Sequence, residues 1–146
     1  MASEDIGNAD PRAVILAENA ARVYERLGSP EGELALAQTV VYLAVAPKSN
    51  AVYVAFNEVM REVKKHNSLE VPLHLRNAPT KLMKALGFGK EYRYPHDEPN
   101  GYVPNEQYFP DGMVPKKFYR PVARGLEIKI KDKLRQLEKW DGEVQK

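Results

Sequence analysis

The most continuous apolar stretch of the chain is LALAQTVVYLAVA, at Leu34–Ala46, in which Gln38 and Thr39 are the only clearly polar side chains. A helix that is hydrophobic on every side belongs inside a protein. At 1.5 Å per residue this helix would be about 20 Å long, and a membrane span needs about 20 apolar residues. Pro47 ends the stretch. The pattern therefore predicts a central helix buried by several neighbours, with partial burial by another subunit as the alternative.

Apolar residues also recur at helical spacing on both sides of this stretch. Residues 10–27 predict a first helix, with Asp10 as its N-terminal cap, Pro11 in its first turn and Gly28 just beyond its end. Ser49 or Asn50 begins a third helix that reaches about residue 66. The apolar side of this third helix contains Val52, Ala55, Phe56, Val59, Met60 and Val63. Three consecutive helices with short connections predict an all-α core over residues 1–66.

The pattern changes after this core, because prolines recur at positions 95, 99, 104, 110, 115 and 121. Such spacing forbids long helices and does not favour strands. Residues 67–124 therefore predict an extended arm with one short helix at 79–86 and, at most, a short hairpin. We expect the arm to be ordered because its aromatic residues need burial. These are Phe88, Tyr92, Tyr94, Tyr102, Tyr108, Phe109, Phe118 and Tyr119. A C-terminal helix is predicted at 125–140.

Length, composition and charge fit one globular domain covering residues 1–146, with 43% hydrophobic residues and no cysteine. The N-terminus is acidic and lacks the apolar segment of a signal peptide. We therefore expect a cytoplasmic protein without membrane association. The net charge is only +2, but residues 115–146 carry ten basic against five acidic side chains. This asymmetry fits contact between the chain ends, a partner, nucleic acid or simply solvated helix surfaces.

Motifs for catalysis are weak, and we expect no catalytic residue, cofactor-binding site or metal site. The string Gly87-Phe88-Gly89-Lys90 resembles a phosphate-binding loop only faintly, because Glu91 stands where Ser or Thr would bind magnesium. The three histidines are widely separated, and there is no cysteine to complete a zinc site.

Basic and aromatic residues alternate in two segments, Lys90–Tyr94 and Lys116–Arg120. This combination can bind single-stranded nucleic acid. It also fits an extended segment that turns its aromatics inward and its charges outward, which is the interpretation we favour. The candidate DNA or partner contacts are Lys90, Arg93, Lys116, Lys117 and Arg120. Arg76 lies in an apolar stretch before a predicted helix, and we expect its planar guanidinium to tie the arm to carbonyls or a carboxylate.

Several strings, taken together, resemble the C-terminal domain of the RarA/MgsA family of AAA+ ATPases, relatives of the Werner helicase-interacting protein. They are SEDIGNADPRA (3–13), LAVAPKSNAVY (43–53), VPLHLRNAPTKLMKALGFGKEYRYPHD (71–97), YFP (108–110) and FYRP with Arg124-Gly125 (118–125). They follow the family's order and cover most of the chain.

The resemblance implies that the chain is one part of a longer protein. The family's C-terminal domain is helical, similar to the collar domains of clamp loaders, and it assembles the ATPase into a homotetramer. ATP and magnesium would bind in the preceding AAA+ module, so no cofactor is expected here. The family implies action at stalled forks in DNA replication, repair and recombination. It implies DNA and single-strand binding protein as partners of the full-length protein, and a nucleoid-associated location. We therefore expect a non-catalytic oligomerisation domain, with a single-stranded nucleic-acid-binding module as the alternative.

Overall fold

The computed structural model describes residues 1–66 and 68–143, and every regular element in these ranges is helical. Five α-helices follow in chain order: α1 Arg12–Leu27, α2 Glu31–Val45, α3 Ala51–Lys65, α4 Lys81–Ala85 and α5 Glu127–Glu143. Short 3-10 turns connect several of them. The all-α prediction is confirmed. None of the helices in the described ranges has the length and apolar character needed to cross a membrane.

The helix ends occur where the sequence places breakers and caps. The backbone amide of Arg12 donates to Asp10 Oδ1 at 3.2 Å, and the amide of Ala51 donates to Ser49 Oγ at 3.2 Å. Both bonds satisfy amides that have no partner within the helix. Gly28 ends α1 with a φ of +64°, and α2 ends at Val45, two residues before Pro47.

The chain divides into two units, the first containing Met1–Glu62 and Lys117–Lys133, the second Val63–Lys116 and Leu134–Lys146. In the first unit, α1 and α2 pack as a hairpin along a seam of mostly small residues. A Cβ added to Gly32 would lie 2.6 Å from the Cα of Tyr24, so the two backbones approach closely there. The side of α2 that faces the seam repeats at intervals of three and four residues. It contains Gly32, Ala35, Thr39 and Tyr42, and Ala46 just beyond the helix continues it; all five are buried or half-buried.

This seam explains why the expected burial of Leu34–Ala46 on every side is wrong. Because glycine and alanine fill the helix contact, the larger apolar residues of α2 point away from α1. Leu34 and Val45 are 72% and 79% exposed. Hydrophobicity predicted a helix correctly, but it did not show which side of that helix α1 covers.

A buried glutamate joins four separate segments of the first unit. Glu127, the first residue of α5, is 0% exposed. Its Oε2 accepts hydrogen bonds from Ser49 Oγ at 3.0 Å and from the Val122 amide at 2.7 Å, and its Oε1 accepts one from the Tyr119 hydroxyl at 2.9 Å. Asn8 donates to that same hydroxyl at 3.3 Å. The α2–α3 connection and the segment before α5 therefore share one buried acceptor, and Tyr119 links the start of the chain to it.

Close backbone contact completes this core beside Glu127. The Leu126 amide donates to the carbonyl of Ala9 at 2.8 Å. Gly125 has a φ of +52°, and a Cβ there would lie 2.0 Å from the same carbonyl oxygen. Any larger residue at position 125 would therefore clash with the N-terminal segment.

The second unit contains little regular structure apart from α4 and the end of α5. Thr80 Oγ1 caps α4 by accepting from the Met83 amide at 3.2 Å, so the predicted helix at 79–86 is real but shorter. Asp141, in the last turn of α5, accepts from the Tyr102 hydroxyl and the Asn105 amide, both at 2.9 Å. The described part of the proline-rich arm contains no strand, so the short hairpin that the sequence allowed is not formed there.

Candidate functional site

The most distinctive surface of the first unit is the side of α2 that faces away from α1. Its residues recur at intervals of three or four, so they share one side of the helix. Leu34, Val41 and Val45 are 72%, 66% and 79% exposed. We name this surface the outward face of α2, and it consists of Leu34, Ala37, Gln38, Val41, Ala44 and Val45, all exposed.

The outward face carries no charge. Between Leu34 and Val45 the only ionisable side chain is that of Tyr42, which donates a hydrogen bond to Asp10 on the seam side. Lys48, beyond the helix end, donates to the carbonyls of Leu43 at 2.6 Å and Ala46 at 2.8 Å. Its ammonium therefore satisfies helix carbonyls instead of standing beside the face. Such a surface has no group for catalysis or ion binding, and it suits contact with another apolar surface.

The predicted apolar side of α3 is also largely exposed. Phe56 is 60% exposed and Met60 41% exposed, whereas Ala51, Ala55 and Glu62 are buried. The expectation that the larger apolar residues of this helix would point into a core is therefore wrong. As on α2, alanines are covered while large apolar residues such as Phe56 and Met60 are not.

The five basic candidates fall into different units. Lys90, Arg93 and Lys116 belong to the second unit, and Lys117 and Arg120 belong to the first. All five are exposed.

Both arginines among these candidates form ion pairs with carboxylates. Arg93 donates from Nε at 3.0 Å and from Nη2 at 2.8 Å to Glu98 Oε1, and from Nη1 at 3.2 Å to the carbonyl of Pro104. Arg120 donates from Nη1 at 3.0 Å to Glu58 Oε1. A phosphate would have to compete with these carboxylates for each guanidinium.

The aromatic residues of the arm differ in burial. Tyr92, Tyr94 and Tyr108 are 52%, 53% and 60% exposed, so the expectation that all of them would be buried is wrong. Partial burial, and then the nearby Glu106 carboxylate, raise the pKa of Tyr108. Burial and the hydrogen bond to Asp141 raise the pKa of Tyr102 to about 12. Tyr108 thus lies near a carboxylate, a setting that does not favour a nucleic-acid phosphate beside this ring.

Arg76 contacts three groups within the second unit. Its Nε donates to the Val71 carbonyl at 2.5 Å and its Nη2 to Glu70 Oε2 at 2.6 Å. The guanidinium carbon lies 5.3 Å from the centroid of the Phe88 ring, within the range of a cation–π contact. The side chain is 23% exposed, so Arg76 holds together several parts of the arm.

Sequence reasoning did not find the roles of two buried carboxylates of the first unit, those of Asp10 and Glu127. Asp10 was interpreted only as a helix cap, yet it also accepts from the side chains of Arg12 and Tyr42. The hydrogen bond from Arg12 lowers the pKa of Asp10 from 3.8 to about 2. Glu127 gave no signal of its own. The strings at 3–13, 43–53 and 118–125 were the only clue, since they supply Asn8, Ser49, Tyr119 and Val122 to its hydrogen-bond network.

Comparison with known proteins gives one consistent family. The family described as "MgsA AAA+ ATPase C terminal" matches residues 1–138. The replication-associated recombination protein A of Coxiella burnetii is 63% identical over 134 residues, which cover 92% of this chain and 30% of that protein. The protein of the same name in Escherichia coli is 53% identical over 141 residues, covering 97% of this chain and 32% of that protein.

A more distant relative is the ATPase WRNIP1 of Dictyostelium discoideum, which is 41% identical over 119 residues. That match covers 82% of this chain and 14% of the relative. The chain thus spans about a third or less of the length of these relatives.

Proposed function

Because this chain belongs to the family of MgsA AAA+ ATPase C-terminal domains, we propose that it is the non-catalytic oligomerisation domain of a larger ATPase. The observation that carries this proposal is the outward face of α2, which is uncharged and exposed over three turns. Exposed apolar surface of this kind is typical of protein–protein interfaces. Burying it requires no desolvation of a charge.

The proposal extends to the whole protein. Two of the relatives carry names that refer to replication and recombination, and we propose that the protein containing this chain acts in DNA replication, repair and recombination at stalled forks. ATP and magnesium would be bound by an AAA+ module outside the matched region. DNA and single-strand binding protein would be partners of the full-length protein at the nucleoid, in the cytoplasm. This chain would contribute assembly, with a homotetramer as the proposed state.

Light scattering after size-exclusion chromatography tests the assembly. The chain should elute with four times the 16.5 kDa of one copy at micromolar concentration. Val41→Glu should lower the mass, because a carboxylate placed in the face would have to be buried without a partner. Asn19→Glu adds the same charge at an exposed position of α1 and should keep the wild-type mass. A wild-type mass of one copy throughout the micromolar range would refute the proposal.

The nucleic-acid-binding alternative is favoured by the half-exposed rings of Tyr92 and Tyr94, which could stack on bases. The pairing of Arg93 and Arg120 with carboxylates counts against it. Fluorescence anisotropy with a labelled oligonucleotide at several salt concentrations distinguishes the oligomerisation function from the nucleic-acid-binding alternative. Strong binding that weakens steeply with salt, and that is lost in Tyr94→Ala but kept in Val41→Glu, would support the alternative.

A further inference from the structure

An aromatic cavity lies in the second unit, between the proline-rich arm and the last turns of α5. Its volume is about 360 Å³, within the size range of ligand pockets. The apolar part of its lining comes from Tyr102, Trp140 and two prolines, Pro99 and Pro104. The ring centroids of Tyr102 and Trp140 are 5.8 Å apart, and the rings are tilted by 41°. We name this cavity the Trp140 pocket.

Hydrogen bonds within the second unit fix the walls of the Trp140 pocket. The Tyr102 hydroxyl donates to Asp141 Oδ1 at 2.9 Å, which holds the tyrosine ring against the end of α5. The Arg93 guanidinium donates to Glu98 and to the Pro104 carbonyl, so this side chain is held as well. A site whose side chains are already ordered loses little conformational entropy when a ligand binds.

The ionised side chains of the lining leave an excess of negative charge. The charge of Arg93 is matched by that of Glu98, with which it forms an ion pair at 2.8 Å. Glu143 is the third ionised side chain of the lining. It is exposed, and no ion pair or hydrogen bond joins its carboxylate to another of the described residues. The pocket therefore attracts cations and repels phosphates and acidic side chains.

We propose that the Trp140 pocket binds an arginine side chain from a basic segment of a partner protein. A guanidinium is planar, stacks on aromatic rings and bonds carboxylates through its edge. It therefore matches both the aromatic walls and the Glu143 carboxylate. A lysine has the same charge but no flat surface, and an apolar side chain would leave the carboxylate unused. This binding does not depend on the proposed oligomerisation function.

A nucleobase fits the Trp140 pocket less well than an arginine does. Bases also stack on aromatic rings, but each base brings a phosphate with it. That phosphate would lie near Glu143 and near Asp141, which follows Trp140 in the chain. Because like charges repel, the pocket favours a basic peptide over a nucleic acid.

NMR spectroscopy of the 15N-labelled chain tests this binding. Trp140 is the only tryptophan, so its indole N–H resonance reports on the pocket alone. The probe is a capped pentapeptide with one arginine between glycines. The matched peptide contains citrulline, which keeps the shape of arginine but is uncharged. The arginine peptide should shift the resonance until it saturates at millimolar concentration. The citrulline peptide should bind at least about tenfold more weakly, because it loses both the cation–π contact and the ion pair.

A charge reversal in the lining provides the second measurement. Glu143→Lys should weaken binding of the arginine peptide about tenfold, because an attraction becomes a repulsion. Lysine is favourable at the end of a helix, and Glu143 is the last residue of α5, so the helix content measured by circular dichroism should be native. Glu25→Lys makes the same change at an exposed position of α1 and should bind the peptide as the wild type does.

Four outcomes would overturn the proposal. They are the absence of a saturable shift with the arginine peptide, equal binding of the arginine and citrulline peptides, and unchanged binding in Glu143→Lys. The fourth is a shift of the indole resonance by an oligonucleotide but not by the arginine peptide, which would assign the pocket to a base instead. The mass of the wild-type assembly is measured separately, so failure here leaves the oligomerisation function standing.

Discussion

Replacing Glu127 by glutamine tests whether one buried carboxylate holds the first unit together. The substitution preserves size and shape but replaces one oxygen by an NH2 group. Ser49 and Val122 both donate to Oε2 in the wild type, and in the variant the remaining oxygen can still accept from both. The new NH2 group then faces the Tyr119 hydroxyl, whose hydrogen loses its acceptor.

The expected loss follows from the three bonds. A hydrogen bond to a charged group contributes about 1.5–3 kcal/mol and one between neutral groups about 0.5–1.5 kcal/mol. Glu127→Gln loses one hydrogen bond to a charged group, the one from Tyr119. It converts the other two, from Ser49 and Val122, into hydrogen bonds between neutral groups. The smaller cost of burying a neutral amide offsets part of this loss. The free energy of unfolding should therefore fall by about 2–4 kcal/mol, and Glu127→Ala should cost more because it leaves three donors without partners.

Urea unfolding followed by circular dichroism measures this change, at one fixed protein concentration because self-association shifts apparent stability. Glu25→Gln provides the matched control, since Glu25 is exposed on α1 and its replacement should change stability by no more than about 0.5 kcal/mol. If Glu127→Gln and Glu25→Gln had the same unfolding midpoint and slope, the buried network would not stabilise the protein as argued.

Two further substitutions test polar contacts in each unit. The pKa of Asp10 is about 2 in the folded chain and 3.8 ordinarily, so its stabilising effect is complete above pH 3.8 and is lost as the pH falls through 2. Asp10→Asn should remove that part of the pH dependence from acid-unfolding curves, and an unaltered difference between pH 2 and pH 4 would contradict this. Arg76→Lys should lower the melting temperature of the second unit, because lysine cannot bond Val71 and Glu70 with one planar group. Lys84→Arg, at an exposed position, should leave the melting temperature unchanged, and an equal melting temperature in both variants would count against the role of Arg76.

The sequence predicted local structure well because the relevant signals are local. Asp10, Pro11 and Gly28 defined α1, and Ser49 and Pro47 defined the boundary between α2 and α3. The resemblance to the RarA/MgsA family, carried by whole strings, is also confirmed. Each of the helix signals lies within a few residues of the helix end that it predicts.

The orientation of α2 could not be predicted because it depends on which residues α1 contacts. Gly32, Ala35 and Ala46 contribute little to a hydrophobicity profile, yet they occupy the seam, while Leu34 and Val45 dominate the profile and point outward. Glu127 was missed for a similar reason. Its partners Ser49 and Asn8 are far away in the sequence, and a glutamate at the start of a helix is common without being buried.

The bond between Ser49 and Glu127 also constrains the order in which the protein can fold during synthesis. The two residues are 78 positions apart, so at roughly 5–20 residues per second the ribosome takes about 4–16 s to reach the second after the first. The α1–α2 hairpin can form from contacts within residues 12–45 during that time. The donors that bond Glu127 in the native state must remain in water until the start of α5 has been synthesised, so the first unit cannot reach its native state before then.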